Sequence, residues 1–176
     1  QGFRYFSQLK MKLLRTELKS GFKNKLFEIT AGDLPDRGTD LVDDHILCTL
    51  SAKMVHFGFQ ISGEIRASPE YECDRCLSNY RKDLALPFKL WLTANEDLSI
   101  KEGDDFIHFP ENLDSIELNN SIADIIGLSE PIKKICSKKC KGLCSKCGSN
   151  LNNASCDCEP DSNDSPWDNL KKIKFK

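Results

Sequence analysis

The sequence predicts an α+β fold, in which an antiparallel β-sheet that could close into a barrel carries one main helix and a C-terminal cysteine-rich module. Two observations support this prediction. Apolar and polar residues alternate in closely spaced central segments, a pattern typical of half-buried antiparallel strands. Eight of the nine cysteines lie in two clusters, one central and one in the last quarter of the 176 residues. A chain of this length predicts one domain with at most a small appendage.

The first elements belong to a basic N-terminal segment, residues 1–30, with a short helix around Leu9–Leu18 where basic and apolar residues mix. The sheet domain is expected over residues 31–132, and the cysteine module with a basic tail over residues 133–176. The sheet domain begins with a loop from Ala31 to Asp44, because glycine and proline recur there.

Three strands are predicted next. The first is Ile46–Leu50; the second is Val55–Arg66, in which every second residue is apolar or small; the third is the alternating segment Tyr80–Leu92. Between the last two, Tyr71–Leu77 holds a C-x2-C pair, and a hairpin turn is expected at residues 78–79. Such short connections favour an antiparallel sheet over a βαβ arrangement.

An acidic loop with a short strand at Phe106–Phe109 leads to the main helix, near residues 119–130. Asn120 or Ser121 can cap this helix, and Asp124 is placed for a capping box. Its apolar stripe consists of Leu118, Ile122, Ile125 and Ile126.

The cysteine spacing predicts two metal sites. Cysteines two residues apart around a tight turn can place both sulfurs on one tetrahedral centre, and a glycine such as Gly148 relieves the backbone at the bend. We therefore predict Zn²⁺, with two ions per chain. The preferred ligands are Cys144, Cys147, Cys156 and Cys158 for one ion, and Cys73, Cys76, Cys136 and Cys140 for the other.

Other uses of these cysteines stay open at this point. An iron–sulfur cluster takes the same ligands. A disulfide framework is disfavoured, because a chain of this length can bury a core without cross-links and because near-neighbour cysteines constrain little. Free or redox-active thiols are the third alternative.

The formal net charge of −2 hides a strong asymmetry. Residues 4–25 have seven basic residues against one acidic, residues 26–132 have eight against 21, and residues 133–176 have ten against five. Basic ends are typical of surfaces that bind polyanions. The candidate RNA-binding residues are Lys138, Lys139, Lys141 and Lys146. The same lysines could instead offset the negative charge of the thiolates beside them.

The sequence contains no recognisable catalytic motif. His45, His56 and His108 are scattered, and none lies in a nucleophile–base arrangement. A site of four cysteines is closed, whereas a catalytic zinc keeps one position open. We therefore expect a protein that is not an enzyme, with no small-molecule substrate and no membrane partner. Cys48 is interpreted as a core residue, and Trp167 as a residue that docks the tail rather than stacks on a base.

Three segments together resemble the YceD family, above all its zinc-type bacterial members and their plant organellar relatives. They are YECDRCL (residues 71–77), ELNNSIADII (residues 117–126) and CSKKCKGLCSKCGSNLNNASCDC (residues 136–158). The resemblance covers about residues 40–176 and is most specific in KGLCSKCGSNLN (residues 141–152). It implies a role in the accumulation of large-subunit, 23S-type rRNA and in ribosome biogenesis. The implied partner is that rRNA or a pre-ribosomal particle, with a ribosomal or assembly protein as a further candidate.

The departures from the bacterial pattern bear on the compartment. The tail has Asp164–Trp167 where bacterial members often have Asp-Pro-Arg, and the basic N-terminal extension is not part of the family core. Both favour a processed protein of the chloroplast stroma over one of the mitochondrion or the bacterial cytoplasm. Two alternatives to an RNA-binding factor remain: a zinc-stabilised adaptor that contacts only proteins, and a thiol-redox regulator.

Overall fold

A computed structural model describes residues 11–43, 45–97 and 105–158 of the chain. In chain order its elements are β1 (Lys12–Leu14), α1 (Arg15–Ser20), β2 (Phe22–Thr30), a 3-10 turn (Ala31–Asp33), β3 (His45–Val55), β4 (Gly58–Ala67), β5 (Glu70–Glu72), β6 (Asn79–Arg81), β7 (Leu84–Thr93), β8 (Phe106–His108), β9 (Ser115–Glu117) and α2 (Asn119–Leu128). The α+β class is therefore confirmed.

The main sheet has five strands in the order β2-β3-β4-β7-β8, and two small sheets pair β1 with β9 and β5 with β6. All pairs are antiparallel except β7 with β8. Within the described ranges the main sheet does not close, because β2 and β8 lie at its two edges and do not pair with each other. The barrel expected from the sequence is wrong. β8 has only three residues, too few to pair along the length of β2.

One face of the sheet forms the hydrophobic core. The side chains of Phe59, Ile61 and Ile65 are buried on β4, as their alternation predicted, and they pack in one cluster with Ile122 and Ile126 of α2. The alternation in the sequence therefore predicted the buried positions of β4 correctly, because successive side chains of a strand point to opposite faces.

The strand ends differ from the sequence prediction in two places. β3 continues to Val55 and β4 begins at Gly58, so the predicted second strand ran through a two-residue hairpin turn. The predicted third strand is two strands, β6 and β7, since β6 pairs with β5 and β7 pairs with β4. The alternation of apolar residues continues through both breaks and therefore hides them.

The N-terminal residues of the described chain belong to the same core. Met11, Leu13 and Leu18 are buried in the main cluster, and β2 pairs along β3. The helix expected around Leu9–Leu18 is observed only as α1, after β1, and its first residues lie outside the described ranges.

The side chain of Asn119, at the start of α2, holds the N-terminal segment in place. It accepts a hydrogen bond from the Met11 N–H at 3.1 Å and donates one to the Asp33 carbonyl at 2.9 Å. Asp124 pairs with Arg37 at 2.6 Å instead of closing a capping box, and α2 begins without a side-chain cap. In the ranges that the structure describes, no helix is long and apolar enough to cross a membrane.

Candidate metal centres

The β5–β6 hairpin carries the first cysteine pair in its loop. The turn runs from Cys73 to Ser78, so the hairpin bends at the C-x2-C pair itself and not after it. The Cys73 N–H donates to the Ser78 carbonyl at 3.0 Å, and the Leu77 N–H donates to the Cys73 carbonyl at 2.8 Å. These bonds close the loop into a tight turn, in which both cysteines are buried.

A second turn, from Cys144 to Ser149, repeats this geometry. The Cys144 N–H donates to the Ser149 carbonyl at 2.9 Å, and the Gly148 N–H donates to the Cys144 carbonyl at 2.9 Å. Gly148 has a φ of 72° and Leu77, at the equivalent position, has a φ of 55°. The role expected for Gly148 is confirmed. The equivalence of Leu77 was not foreseen, because leucine gives no sign of a positive φ.

The central site combines the first turn with a distant segment. Its four sulfurs, those of Cys73, Cys76, Cys136 and Cys140, all lie within 4.8 Å of one another. The Sγ atoms of Cys73 and Cys140 are 3.9 Å apart, and those of Cys76 and Cys136 are 3.7 Å apart. A tetrahedron with zinc–sulfur bonds of about 2.3 Å has edges of about 3.8 Å, so the four sulfurs have the right size for one zinc ion.

The C-terminal site closes within a short stretch of chain. The sulfurs of Cys144, Cys147, Cys156 and Cys158 also lie within 4.8 Å of one another. Its cysteines are half-buried or exposed, whereas three of the four in the central site are buried. The structure thus groups the eight sulfurs in the two sets that the spacing predicted, and each set could hold a metal ion. That they bind zinc remains a prediction.

Nearby donors favour the charged form of particular sulfurs. The Cys136 N–H, 3.4 Å from the Cys73 sulfur, lowers the pKa of Cys73 to about 6. The Ser149 hydroxyl, 3.2 Å from the Cys147 sulfur, likewise lowers the pKa of Cys147 to about 6. An amide of Asn152 lowers the pKa of Cys140.

Other sulfurs in the same sites resist ionisation. Burial and the neighbouring Cys73 sulfur raise the pKa of Cys136 to about 12, and the Cys147 sulfur raises that of Cys158 to about 12. Four thiolates at these distances repel one another unless a cation lies between them. The donor set therefore fits a divalent ion that displaces the remaining protons on binding.

The candidate RNA-binding lysines lie on the segments that carry the cysteines. Lys138 and Lys139 lie between Cys136 and Cys140, and both are exposed, as is Lys141. Lys146, also exposed, lies inside the second turn and interacts with another group of the protein. These positions fit both contact with phosphates and compensation of thiolate charge.

Among the remaining candidates, Cys48, His45 and His56 make contacts on or beside the main sheet. Cys48 is fully buried in β3, as expected of a core residue. His45 contacts Glu28 at 2.8 Å, and His56 packs against Phe57. Trp167 lies outside the described residues.

Sequence reasoning missed three residues that join the two sites: Arg75, Asn150 and Asn152. The Asn150 amide donates to the Ser78 hydroxyl at 3.0 Å, and the Asn152 amide lies 3.4 Å from the Cys140 sulfur. The only available signal for Asn150 and Asn152 was their position in the block of residues 141–152, and for Arg75 its position between Cys73 and Cys76.

Comparison with known proteins gives one family. The family described as "Large ribosomal RNA subunit accumulation protein YceD" matches residues 61–174, which include all eight clustered cysteines. No solved structure matches the chain.

Two plant relatives have names that match this family, and a bacterial relative is uncharacterised. The chain is 40% identical over 142 residues to "Large ribosomal RNA subunit accumulation protein YCED homolog 1, chloroplastic" of Arabidopsis thaliana, a match that covers 64% of this chain and 44% of the relative. It is 43% identical over 58 residues to the protein of the same name in Zea mays, covering 32% and 20%. An uncharacterised protein of Mycobacterium tuberculosis is 31% identical over 100 residues, covering 56% and 48%. The matched segments thus span less than half the length of each of these relatives.

Proposed function

The chain belongs to the YceD family of large ribosomal RNA subunit accumulation proteins, and from this premise we propose that it is a non-enzymatic ribosome-biogenesis factor that binds large-subunit rRNA or a precursor particle. The observation that carries the proposal is the family match over residues 61–174, since it spans both cysteine sites, most of β4 and all of β7 and β8. The chloroplastic relatives support an organellar location, and we propose the chloroplast stroma.

Two zinc ions stabilise the RNA-binding part of the protein in this proposal. Four thiolates around Zn²⁺ fill its coordination sphere, so the ions act in folding and leave no position for a substrate. The sulfurs of each set lie within 4.8 Å of one another, close enough to share one ion, and this distance supports the assignment. We propose the domain division expected from the sequence, with a basic N-terminal segment over residues 1–30 whose strand β2 pairs with β3 of the sheet, a sheet domain over residues 31–132 and a zinc module over residues 133–176.

RNA contacts come from lysines of the zinc module. Lys138, Lys139 and Lys141 are exposed and belong to one short stretch of chain. Each zinc with four thiolates carries a charge of −2, so these lysines and Lys146 also reduce the negative charge that a phosphate backbone would meet. Phosphate contacts of this kind bind without regard to base sequence.

The test is filter binding to large-subunit rRNA at several salt concentrations. In the variant Lys138→Glu/Lys139→Glu/Lys141→Glu we expect weaker binding and a salt slope that is flatter by about 2 to 3, because each lost phosphate contact removes about 0.7 to 0.9 from the slope. The matched control is Lys53→Glu/Lys82→Glu/Lys89→Glu, which changes three exposed lysines of the sheet domain and the net charge equally.

The outcomes separate the candidate functions. Loss of affinity in the module variant alone supports direct RNA binding by the lysines. Equal loss of affinity in both variants would show that the effect comes from the net charge of the protein and not from the position of the lysines. If affinity and slope survive in a folded, metallated module variant, the lysines compensate thiolate charge, and the adaptor that contacts only proteins becomes the better function.

A further inference from the structure

The two cysteine sites are in direct contact through the backbone. The Leu143 N–H donates to the Arg75 carbonyl at 3.0 Å, and the Arg75 guanidinium donates to the Cys140 carbonyl at 3.0 Å. Arg75 lies between Cys73 and Cys76 of the central site, and Leu143 immediately precedes Cys144 of the C-terminal site. A shift of either turn is therefore transmitted to the other.

Asn152 connects the two sites through its side chain. Its amide nitrogen lies 3.4 Å from the Cys140 sulfur of the central site, and its amide oxygen accepts a hydrogen bond from the Lys141 N–H at 2.8 Å. The same amide nitrogen donates to the Asn150 side-chain oxygen at 2.8 Å, which fixes its orientation. A hydrogen bond to a thiolate is charge-assisted and stabilises the ligand in its metal-binding form.

Asn152 belongs to a loop whose two ends supply ligands to the C-terminal site. Asn152 lies in the loop between Cys147 and Cys156, which are both ligands of the C-terminal site. Asn152, Asn153 and Ala154 are exposed, so little buried surface holds this part of the loop. A metal ion held by Cys147 and Cys156 would close the loop and lower the entropic cost of holding Asn152 against Cys140.

We propose that the two cysteine sites are thermodynamically coupled, with Asn152 as the positioning residue through which a metal ion in the C-terminal site strengthens binding in the central site. The inference rests on the proposed binding of metal by both sites. Coupling of this kind is reciprocal, so an ion in the central site strengthens binding in the C-terminal site by the same factor.

The experiment uses the full chain loaded with cadmium, which binds thiolates and gives an NMR resonance for each site. Competition with a chelator then yields the affinity of each site separately. Removing the C-terminal site by Cys147→Ser/Cys158→Ser should weaken cadmium binding at the central site by about tenfold, the lower end of the loss seen when outer-shell partners are removed. Asn152→Ala should weaken cadmium binding at the central site by a similar factor and shift the resonance of that site. When the C-terminal site is also removed from the Asn152→Ala variant, the affinity of the central site should fall little further.

Two further variants separate the hydrogen bond to sulfur from general damage. Asn152→Asp keeps the oxygen that accepts from Lys141 but places a negative oxygen beside the thiolate, so the central site should weaken more than in Asn152→Ala. Asn153→Ala changes a neighbouring exposed asparagine and should leave both affinities unchanged. The single Asn152 variants retain all eight clustered cysteines, so their results do not depend on the folding of a ligand-deficient chain.

The results that would overturn the coupling differ from those that would overturn metal binding. The coupling is rejected if the wild-type chain gives two cadmium resonances but neither Asn152→Ala nor Cys147→Ser/Cys158→Ser changes the affinity of the central site. That result would leave metal binding itself intact. An equal loss of affinity in Asn153→Ala would also reject it. A wild-type chain that binds no cadmium would reject metal binding itself.

Discussion

At the scale of single residues, Cys48 differs from the other eight cysteines in its surroundings. It is fully buried on the core face of β3, and burial raises its pKa to about 12. Because the thiolate is the reactive species, the Cys48 thiol in the folded chain should react very slowly at pH 8. The clustered cysteines belong to the turns and loops that we expect to open when zinc is removed, whereas Cys48 lies in the main hydrophobic cluster.

This difference predicts the pattern of alkylation at pH 8. The zinc-loaded protein should react at no cysteine, the folded zinc-free protein at eight, and the denatured protein at all nine, counted by mass spectrometry. A Cys48→Ala variant is the control, since its folded zinc-free form should react as the wild type does. Modification of Cys48 in the folded chain would contradict its assignment to the core.

The two cysteine turns allow a second comparison between single residues. Leu77 and Gly148 occupy equivalent positions with φ of 55° and 72°. A side chain in this left-handed region costs about 1 kcal/mol, so Gly148→Ala should lower the free energy of unfolding of the zinc-loaded protein by about that amount. Leu77→Gly relieves the same cost and should be neutral or stabilising, although glycine at an ordinary position costs about 0.5–1 kcal/mol.

Chemical denaturation at saturating zinc measures both variants. The two substitutions should change stability in opposite directions or leave Leu77→Gly unchanged. A loss of more than about 1 kcal/mol in Leu77→Gly would mean that the exposed leucine stabilises the turn by packing, and that the shared backbone geometry does not determine the stability of the two turns.

At the scale of elements, the central site attaches residues 133–140 to the β5–β6 hairpin. The Asp74 N–H donates to the Lys134 carbonyl at 2.7 Å, and the Asp74 carboxylate accepts from the Lys134 N–H at 2.7 Å. The four sulfurs complete this connection between segments about 60 residues apart in sequence. Since binding of a structural metal contributes folding free energy to every segment that supplies a ligand, loss of one ligand loosens both segments.

We therefore expect Cys73→Ser to increase tryptic cleavage at Lys133 and Lys134, although residue 73 is remote from them in sequence. Cys147→Ser is the matched control, because it removes one ligand of the C-terminal site and should leave these two lysines protected when zinc is in excess. Limited proteolysis followed by mass spectrometry identifies the cut sites. Equal protection of Lys133 and Lys134 in Cys73→Ser and wild type would show that the cross-chain site does not hold the module.

The elements also show what the sequence could reveal. The faces of the strands and the grouping of the sulfurs could be predicted, because burial on a strand has a period of two and ligand pairs have a fixed spacing. The ends of β3 and β4 could not, since the turn at His56 and Phe57 continues the apolar alternation. Closure of the sheet depends on which edges pair, and the role of Asn152 depends on a contact between two turns. Neither is encoded in a local pattern.

At the scale of the whole molecule, the described residues form two separate buried clusters. The main cluster lies between the sheet and its helices, and a small one contains Cys73, Cys76 and Cys140 with a few apolar neighbours. The small cluster buries too little apolar surface to hold residues 133–158 by itself, whereas the main cluster includes residues from β2, β3, β4 and β7 and does not involve either cysteine site.

Removal of zinc should accordingly unfold one part of the molecule and spare the other. Native mass spectrometry should find two zinc ions per chain, and a chelator should remove them with loss of amide protection in residues 133–158 and in the Cys73–Ser78 turn. Amides of β3, β4 and β7 should keep their slow hydrogen exchange, because their hydrogen-bond partners and apolar contacts lie in the main cluster. If these strands lose protection together with the module, the sheet and the module form a single cooperative unit, and zinc stabilises the whole fold rather than its C-terminal part.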